Sequence, residues 1–238
     1  MLPTKKQTKI KRWRIFKIFP LGTIVPYTCV FLYQCIVYFF TELYVNQLSY
    51  KFDLSLSLDK KIPVIPGYIY IYFSCYLFWI ANILLSGKIS KEHFYKIITT
   101  SFLSITICGI IFVFFPTTIQ RPEIKVVNLS TFLLHYLYCI DHPVNLFPSI
   151  HCLSSWLAYI AIRGQKQIPI WYRMFSLFFA ISVFISTQVL KQHYLLDVVA
   201  GIVLVESVWQ FQKRKISYTN QKLNLILEKL NQRLNIHW

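Results

Sequence analysis

The sequence predicts an all-α integral membrane protein, a bundle of six transmembrane helices. Three observations carry that expectation. The 238 residues are 55% hydrophobic and only 14% charged, and the mean hydropathy is +0.49. A soluble domain of this size would need far more polar surface. The apolar residues gather into runs long enough for membrane helices. Lysine and arginine sit at the ends of those runs, as they do in membrane proteins. The net charge of +16 therefore does not point to nucleic acid, and no nucleic-acid partner is expected.

Taken in order, a basic cytoplasmic N-terminus covers residues 1–20 and includes "KKQTKIKRWRIFK". The apolar stretch after it exceeds a signal peptide and lacks a small-residue cleavage site, so it reads as an uncleaved anchor. A bilayer core about 30 Å thick needs about 20 apolar residues per helix. Spans are expected near Leu21–Val45, Pro66–Ser86, Phe94–Phe115, Ser149–Ile162, Ile168–Leu190 and His193–Phe211. They form one membrane domain, residues 21–211, with no internal repeat or linker. The six cysteines lie mostly inside these runs without metal-ligand spacing, and read as small buried residues. Residues 212–238 form a basic, amphipathic tail. Leu223, Ile226, Leu227, Leu230 and Leu234 recur there at helical spacing, which predicts a helix on the membrane or against the bundle.

Orientation follows from the cations. With alternating spans, 19 of the 25 lysines and arginines fall on the side of the termini and 6 on the other. That bias places both termini in the cytoplasm and the 116–148 loop outside. Asn128-Leu129-Ser130 in that loop is a glycosylation acceptor pattern if the chain is eukaryotic.

Ionisable groups inside spans are costly and often functional. In "STQVLKQHYLLDVVAG", His193 and Asp197 are four residues apart and share a helix face. Such a carboxylate can take the proton of one imidazole nitrogen and leave the other lone pair free. The same pair could equally hold two helices together. His151, in "NLFPSIHC", returns to the same outer face, because two spans separate it from His193. Its span, Ser149 to Arg163, is 15 residues, roughly 22 Å at 1.5 Å per residue. His151 is thus expected to lie recessed. Ser149 is placed as an N-cap, where free N–H groups favour an anion. Arg121, in "FPTTIQRPEI", offers a permanent charge suited to phosphate, stiffened by Pro122. An ordinary juxtamembrane arginine is the alternative. Glu123, Asp141 and His142 read as solvated loop residues, His135 as interfacial, His93 as cytoplasmic, and His237 as part of the tail.

These pieces together resemble the three-motif signature of the type 2 phosphatidic acid phosphatase superfamily. They are "RP" at Arg121, "PSIH" ending at His151, and "ST" followed by five residues, His193, three residues and Asp197. The second span, "IPVIPGYIYIYFSCYLFW", is also similar. The family pattern has a lysine where this chain has Phe114, a glycine at Ile150 and an arginine at Thr187. Two expected phosphate-binding cations are absent. With "FPSIH", the variant is more similar to the inositol phosphorylceramide synthase and sphingomyelin synthase branch.

The resemblance implies a six-helix bundle of this family's kind and a phosphohistidine mechanism with no cofactor and no metal. His193 would be the nucleophile, Asp197 its orienter and His151 the leaving-group acid. Arg121 and Ser149 would bind substrate phosphate, and Lys191 could replace some lost charge, against the plainer reading of a snorkelling interfacial lysine. The implied activity is a membrane lipid-phosphate phosphatase acting on the extracytoplasmic side. A lipid headgroup phosphotransferase, with a second alcohol as acceptor, is the alternative. A small lipid transporter or inactive relative is the third reading.

Overall fold

Apolar runs of about twenty residues have one low-energy form in lipid, the helix, because it satisfies every backbone N–H and C=O within the segment. The computed structural model describes residues 21–214 and 218–233. The basic segment 1–20, Leu234 and His237 lie outside the described residues. Among them, helix α1 spans Leu21–Asn46, α2 Ser57–Lys61, α3 Ile69–Ser86, α4 Lys91–Phe114, α5 Leu129–Ile140, α6 Ile150–Ile162, α7 Ile170–Val189, α8 Leu195–Arg214 and α9 Tyr218–Arg233. Two short strands, β1 (Phe52–Asp53) and β2 (Thr117–Thr118), pair in parallel and pin two connecting segments together.

Five of these helices, α1, α3 (with the 3₁₀ turn before it), α4, α7 and α8, are long and apolar enough to cross a membrane. They fit an integral membrane protein. Their outward faces carry large exposed apolar side chains, among them Phe40 on α1, Leu77 on α3, Phe178 on α7 and Val203 on α8. The remaining predicted span, Ser149–Ile162, is also helical, but α6 has only 13 residues, roughly 20 Å. It packs against α3, α4, α7 and α8, and Cys152, Leu153, Leu157, Ala158, Ala161 and Ile162 are buried. Most of its side chains are buried against those helices, and only His151, Trp156 and Tyr159 are half-buried.

Two expectations need correction. The 116–148 segment is not all loop, since it contains the 12-residue helix α5, capped by the Asn128 side chain accepting from the Thr131 N–H. Its shortness hid it from a search for membrane-length runs. Asp141, at the end of α5, is not a solvated residue. Its side chain is 22% exposed, and its Oδ1 accepts from the Tyr38 hydroxyl at 2.6 Å. His142, by contrast, is 60% exposed and pairs with Glu42. The predicted tail helix forms as α9 and packs on α1 and α4. Leu227 enters the core with Leu230 against it, and Glu228 pairs with Lys91 at 2.7 Å.

Candidate functional site

The start of α6 is set by Ser149. Its hydroxyl accepts from the Cys152 N–H at 3.2 Å, the N-cap expected from the sequence. Its own N–H donates to the Asp197 carbonyl at 3.0 Å, which ties α6 to the first turn of α8. The two helices touch closely at Gly201, where a Cβ would lie 2.6 Å from the Ser149 carbonyl oxygen. Only a residue without a side chain permits that approach.

This junction brings His151 and His193 together, with ring centroids 5.9 Å apart. His193 is 8% exposed. Its Nδ1 lies 3.1 Å from the Leu146 carbonyl, an acceptor only, so Nδ1 is the donor and in the neutral ring Nε2 holds the lone pair. The expected acceptor was Asp197, but its Oδ2 lies 3.6 Å from Nδ1, too far for a hydrogen bond. That oxygen instead accepts from the Tyr194 N–H at 2.7 Å, in the turn that opens α8. Asp197 is fully buried, and its Oδ1 has no partner. Its carboxyl group nevertheless stands beside the ring.

The Leu146 carbonyl is held in turn. Thr117 Oγ1 accepts from the N–H groups of Leu146 and Phe147 at 3.0 and 3.2 Å. The Asn145 side chain donates to Thr41 on α1 at 3.0 Å. His151 packs on Tyr72, ring to ring at 4.5 Å, and its two nitrogens face the Tyr72 and Tyr76 hydroxyls at 3.5 and 3.4 Å. Beside it opens an apolar cavity of about 290 Å³, lined by Phe31, Tyr72, Tyr76, Trp79 and Asp141 among others.

Arg121 lies on the far side of Asp141. One guanidinium nitrogen donates to the Asp141 carbonyl, and the other to Gln192 Oε1 at 2.8 Å and the Asp141 carboxylate at 3.5 Å. The side chain is 8% exposed, sits 4.9 Å over the Tyr138 ring, and leaves its Nε buried without a partner. It opens on a second, polar cavity of about 640 Å³ shared with Lys191, Asp53, Asp59, Lys60 and Tyr194. Lys191 is not free for an anion. Its ammonium donates to the Asp59 and Ile62 carbonyls at 2.9 and 2.6 Å, which caps the end of α2. Burial pushes its pKa down, and Asp59 partly opposes this.

Where cations were expected and absent, Phe114 is 82% exposed and Thr187 is buried. Thr187 serves through its carbonyl, which accepts from the N–H groups of Gln192 and His193. Among the described residues, no three His, Cys, Asp or Glu side chains converge as metal ligands.

Sequence reasoning missed Tyr72, Tyr76, Gly201, Asp141 and Gln192. The first three had a signal. Tyr72 and Tyr76 are one helical turn apart, and Gly201 continues the spacing of His193 and Asp197 in steps of four. Asp141 and Gln192 had none, because only the folded loops bring them to Arg121.

The PAP2 superfamily profile matches residues 52–209, a stretch that includes Arg121, His151, His193 and Asp197. An uncharacterized protein of Methanocaldococcus jannaschii is 28% identical over 105 residues, covering 44% of this chain and 41% of that protein. The match therefore spans less than half of that relative. No solved structure matches the chain. With most of its length inside the profile, the chain belongs to the PAP2 superfamily, a group of phosphatases and related phosphotransferases.

Proposed function

We propose that the protein is a membrane lipid-phosphate phosphatase working through a phosphohistidine at its extracytoplasmic face. The observation that carries this reading is the pairing of His151 and His193, 5.9 Å apart, with the Leu146 carbonyl at His193 Nδ1 and His151 lining a cavity. In this mechanism His193 Nε2 attacks phosphorus and the bond to the ester oxygen breaks. His151 protonates the departing alkoxide. Asp197 stabilises the positive ring that forms, while Leu146 holds its orientation. Water then attacks the phosphoramidate, His151 takes the water proton, and His193 is regenerated. Arg121 and the N-terminal turn of α6 at Ser149 hold the non-bridging oxygens. The reaction as written needs no metal and no cofactor.

The apolar cavity at His151 suits the chain of a lipid substrate, and α6 completes a six-span bundle as its protein-clad central crossing. The excess of cations beyond the opposite ends of the spans supports cytoplasmic termini. A second reading, a headgroup phosphotransferase resembling inositol phosphorylceramide synthase, draws support from the polar cavity at Arg121, where an acceptor alcohol has room. Incubating purified protein with labelled lipid phosphate, with and without alcohol acceptors, separates the two. Free phosphate marks the hydrolase and a new labelled lipid the transferase. Neither product from wild-type protein, or equal product from His193→Ala, overturns both.

A further inference from the structure

Helix α5 is not of membrane length, yet it is built like a membrane segment. From Val126 to Ile140 there is no Asp, Glu, Lys or Arg. Its 12 residues, roughly 18 Å, cannot cross a bilayer core of about 30 Å. One face is already in use. Thr131, Leu134 and Leu137 are buried, and the helix packs on α3 and on the 3₁₀ turn before it. The other face is apolar as well. Leu129, Phe132, Tyr136 and Ile140 recur in steps of three and four. Each is more than half exposed, as are Val126 and Val127 just ahead of the helix. A contiguous apolar stripe of this kind marks a contact with membrane or protein.

The surroundings of the stripe make that partner lipid. It continues the outward flank of α3, a helix long and apolar enough to cross a membrane. Ser130 Oγ donates to the Tyr70 hydroxyl at 3.2 Å, and Tyr70 begins the exposed side of α3 that Leu77 carries on two turns later. Tyr70 and Tyr136 present rings with a polar tip, which suit the level of the headgroups. His135 is exposed at the edge of the stripe, at the same polar boundary. The start of the helix is also sealed. Thr131 Oγ1 accepts from the Val127 and Asn128 N–H groups, and Asn128 Oδ1 accepts from the Thr131 N–H, each at 3.0 Å. Helix ends otherwise leave donors that need water, so a capped start lowers the cost of contact with lipid.

We propose that α5 is seated in the leaflet on the histidine side, with Leu129, Phe132, Tyr136 and Ile140 at the boundary between headgroups and acyl chains. In the orientation already proposed this is the extracytoplasmic leaflet. Seated there, α5 turns the cavity towards lipid. Ile140 belongs both to the exposed stripe and, with Leu137, to the wall of the chamber that holds His151. Cys35 of α1 is exposed and lines the same chamber. The chamber thus opens on the face that α5 lays against the leaflet. Asp141, the C-cap of α5, accepts from Arg121, so the depth of the helix also sets that of the arginine. The seat requires nothing of the histidine chemistry and stands or falls apart from it.

The test is spin labelling of the full-length protein in phosphatidylcholine liposomes, with its six cysteines replaced by alanine. A nitroxide is attached at Phe132→Cys, at Tyr136→Cys or, as the aqueous reference, at Glu123→Cys. Its relaxation is measured with oxygen, which concentrates among acyl chains, and with a neutral nickel chelate, which stays in water. Oxygen is expected to act several-fold more strongly than nickel at Phe132 and Tyr136, and nickel more strongly at Glu123. The same profile is expected in His193→Ala protein, which separates the seat from the catalytic reading. Nickel dominating at Phe132 and Tyr136 overturns the proposal, because the stripe then faces water. Weak relaxation by both reagents, with dipolar broadening between labels, overturns it in favour of a second copy of the chain. Should the cysteine-free protein fail to fold, wild-type protein is irradiated in liposomes holding a phosphatidylcholine with a diazirine near its ester groups. Adducts on the peptide spanning 126–140 support the seat, and adducts confined to the long helices contradict it.

Discussion

Helices α6 and α8 meet polar side chains at both ends, and the two ends differ in how those groups are satisfied. At the end away from the histidines, Glu206 accepts from Arg163 at 2.9 Å, from Trp156 at 3.0 Å and from Gln210 at 2.7 Å. Close by, His93 Nε2 donates to the Ala161 carbonyl at 2.7 Å. Those groups find partners within the protein, and Gln212 Oε1, further along α8, is the exception at this end. At the opposite end, Asp197 Oδ1 and Arg121 Nε are buried without partners, the His151 contacts to tyrosine are long, and two cavities adjoin. A buried polar group left unpaired costs roughly 1–3 kcal/mol. The paired cluster repays its burial through structure. The unpaired one is what the proposed function expects, since an unsatisfied buried group is where function tends to sit.

This contrast can be broken or sharpened by substitution. The largest effect is expected from His193→Ala, which should lower phosphate-ester turnover by at least about a thousandfold, since no nucleophile remains. His151→Ala should follow, with a loss of about 10²–10⁴-fold for an ordinary alcohol leaving group. The loss should shrink when the leaving group is an activated phenol that needs no proton. Gly201→Ala tests the helix junction rather than a reacting group. By pushing on the Ser149 carbonyl it should misplace His151 and cost about tenfold to a hundredfold in kcat, with α-helical circular dichroism retained. Thr117→Val removes the acceptor of two N–H groups behind Leu146. It should lower stability by about 1–3 kcal/mol and activity only several-fold, as measured by thermal melting and by assay. The smallest effect on activity belongs to the other end. Glu206→Gln should lower the melting temperature and leave kcat within about twofold, because an intact site still operates. A Glu206→Gln loss as large as that of His151→Ala would erase the distinction between the ends.

Much of this was legible in the chain. Membrane-length apolar runs located α1, α3, α4, α7 and α8, and the serine before His151 marked the start of α6. The His193/Asp197 spacing brought the two side chains within 3.6 Å, but not on one helix face, since His193 lies in the turn before α8, which starts at Leu195. The spacing did not reveal which acceptor the ring would choose. Leu146 is 47 residues away in sequence from His193, and its carbonyl reaches the ring only because Thr117, Thr41 and the capped start of α6 shape the intervening loop. Lys191 misled for a related reason. Its charge suggested phosphate, but a lysine beside the exposed carbonyls of a short helix is drawn to them first. Helix α5 and Asp141 escaped because a 12-residue helix is too short for a membrane signal, and nothing local marks an aspartate as an arginine's partner.

The central claim is that His193 carries the phosphoryl group and His151 handles the proton. Its most direct measurement is intact-protein and peptide mass spectrometry after a base quench, using the His151→Ala protein and an aryl phosphate ester. The good leaving group lets the first step proceed without an acid, whereas the second step lacks its base. The expected result is a phosphoryl adduct that accumulates on the peptide containing His193 and is missing from the His151→Ala/His193→Ala double variant. Aryl alcohol release with no adduct, or an adduct on any other residue, would contradict the assignment.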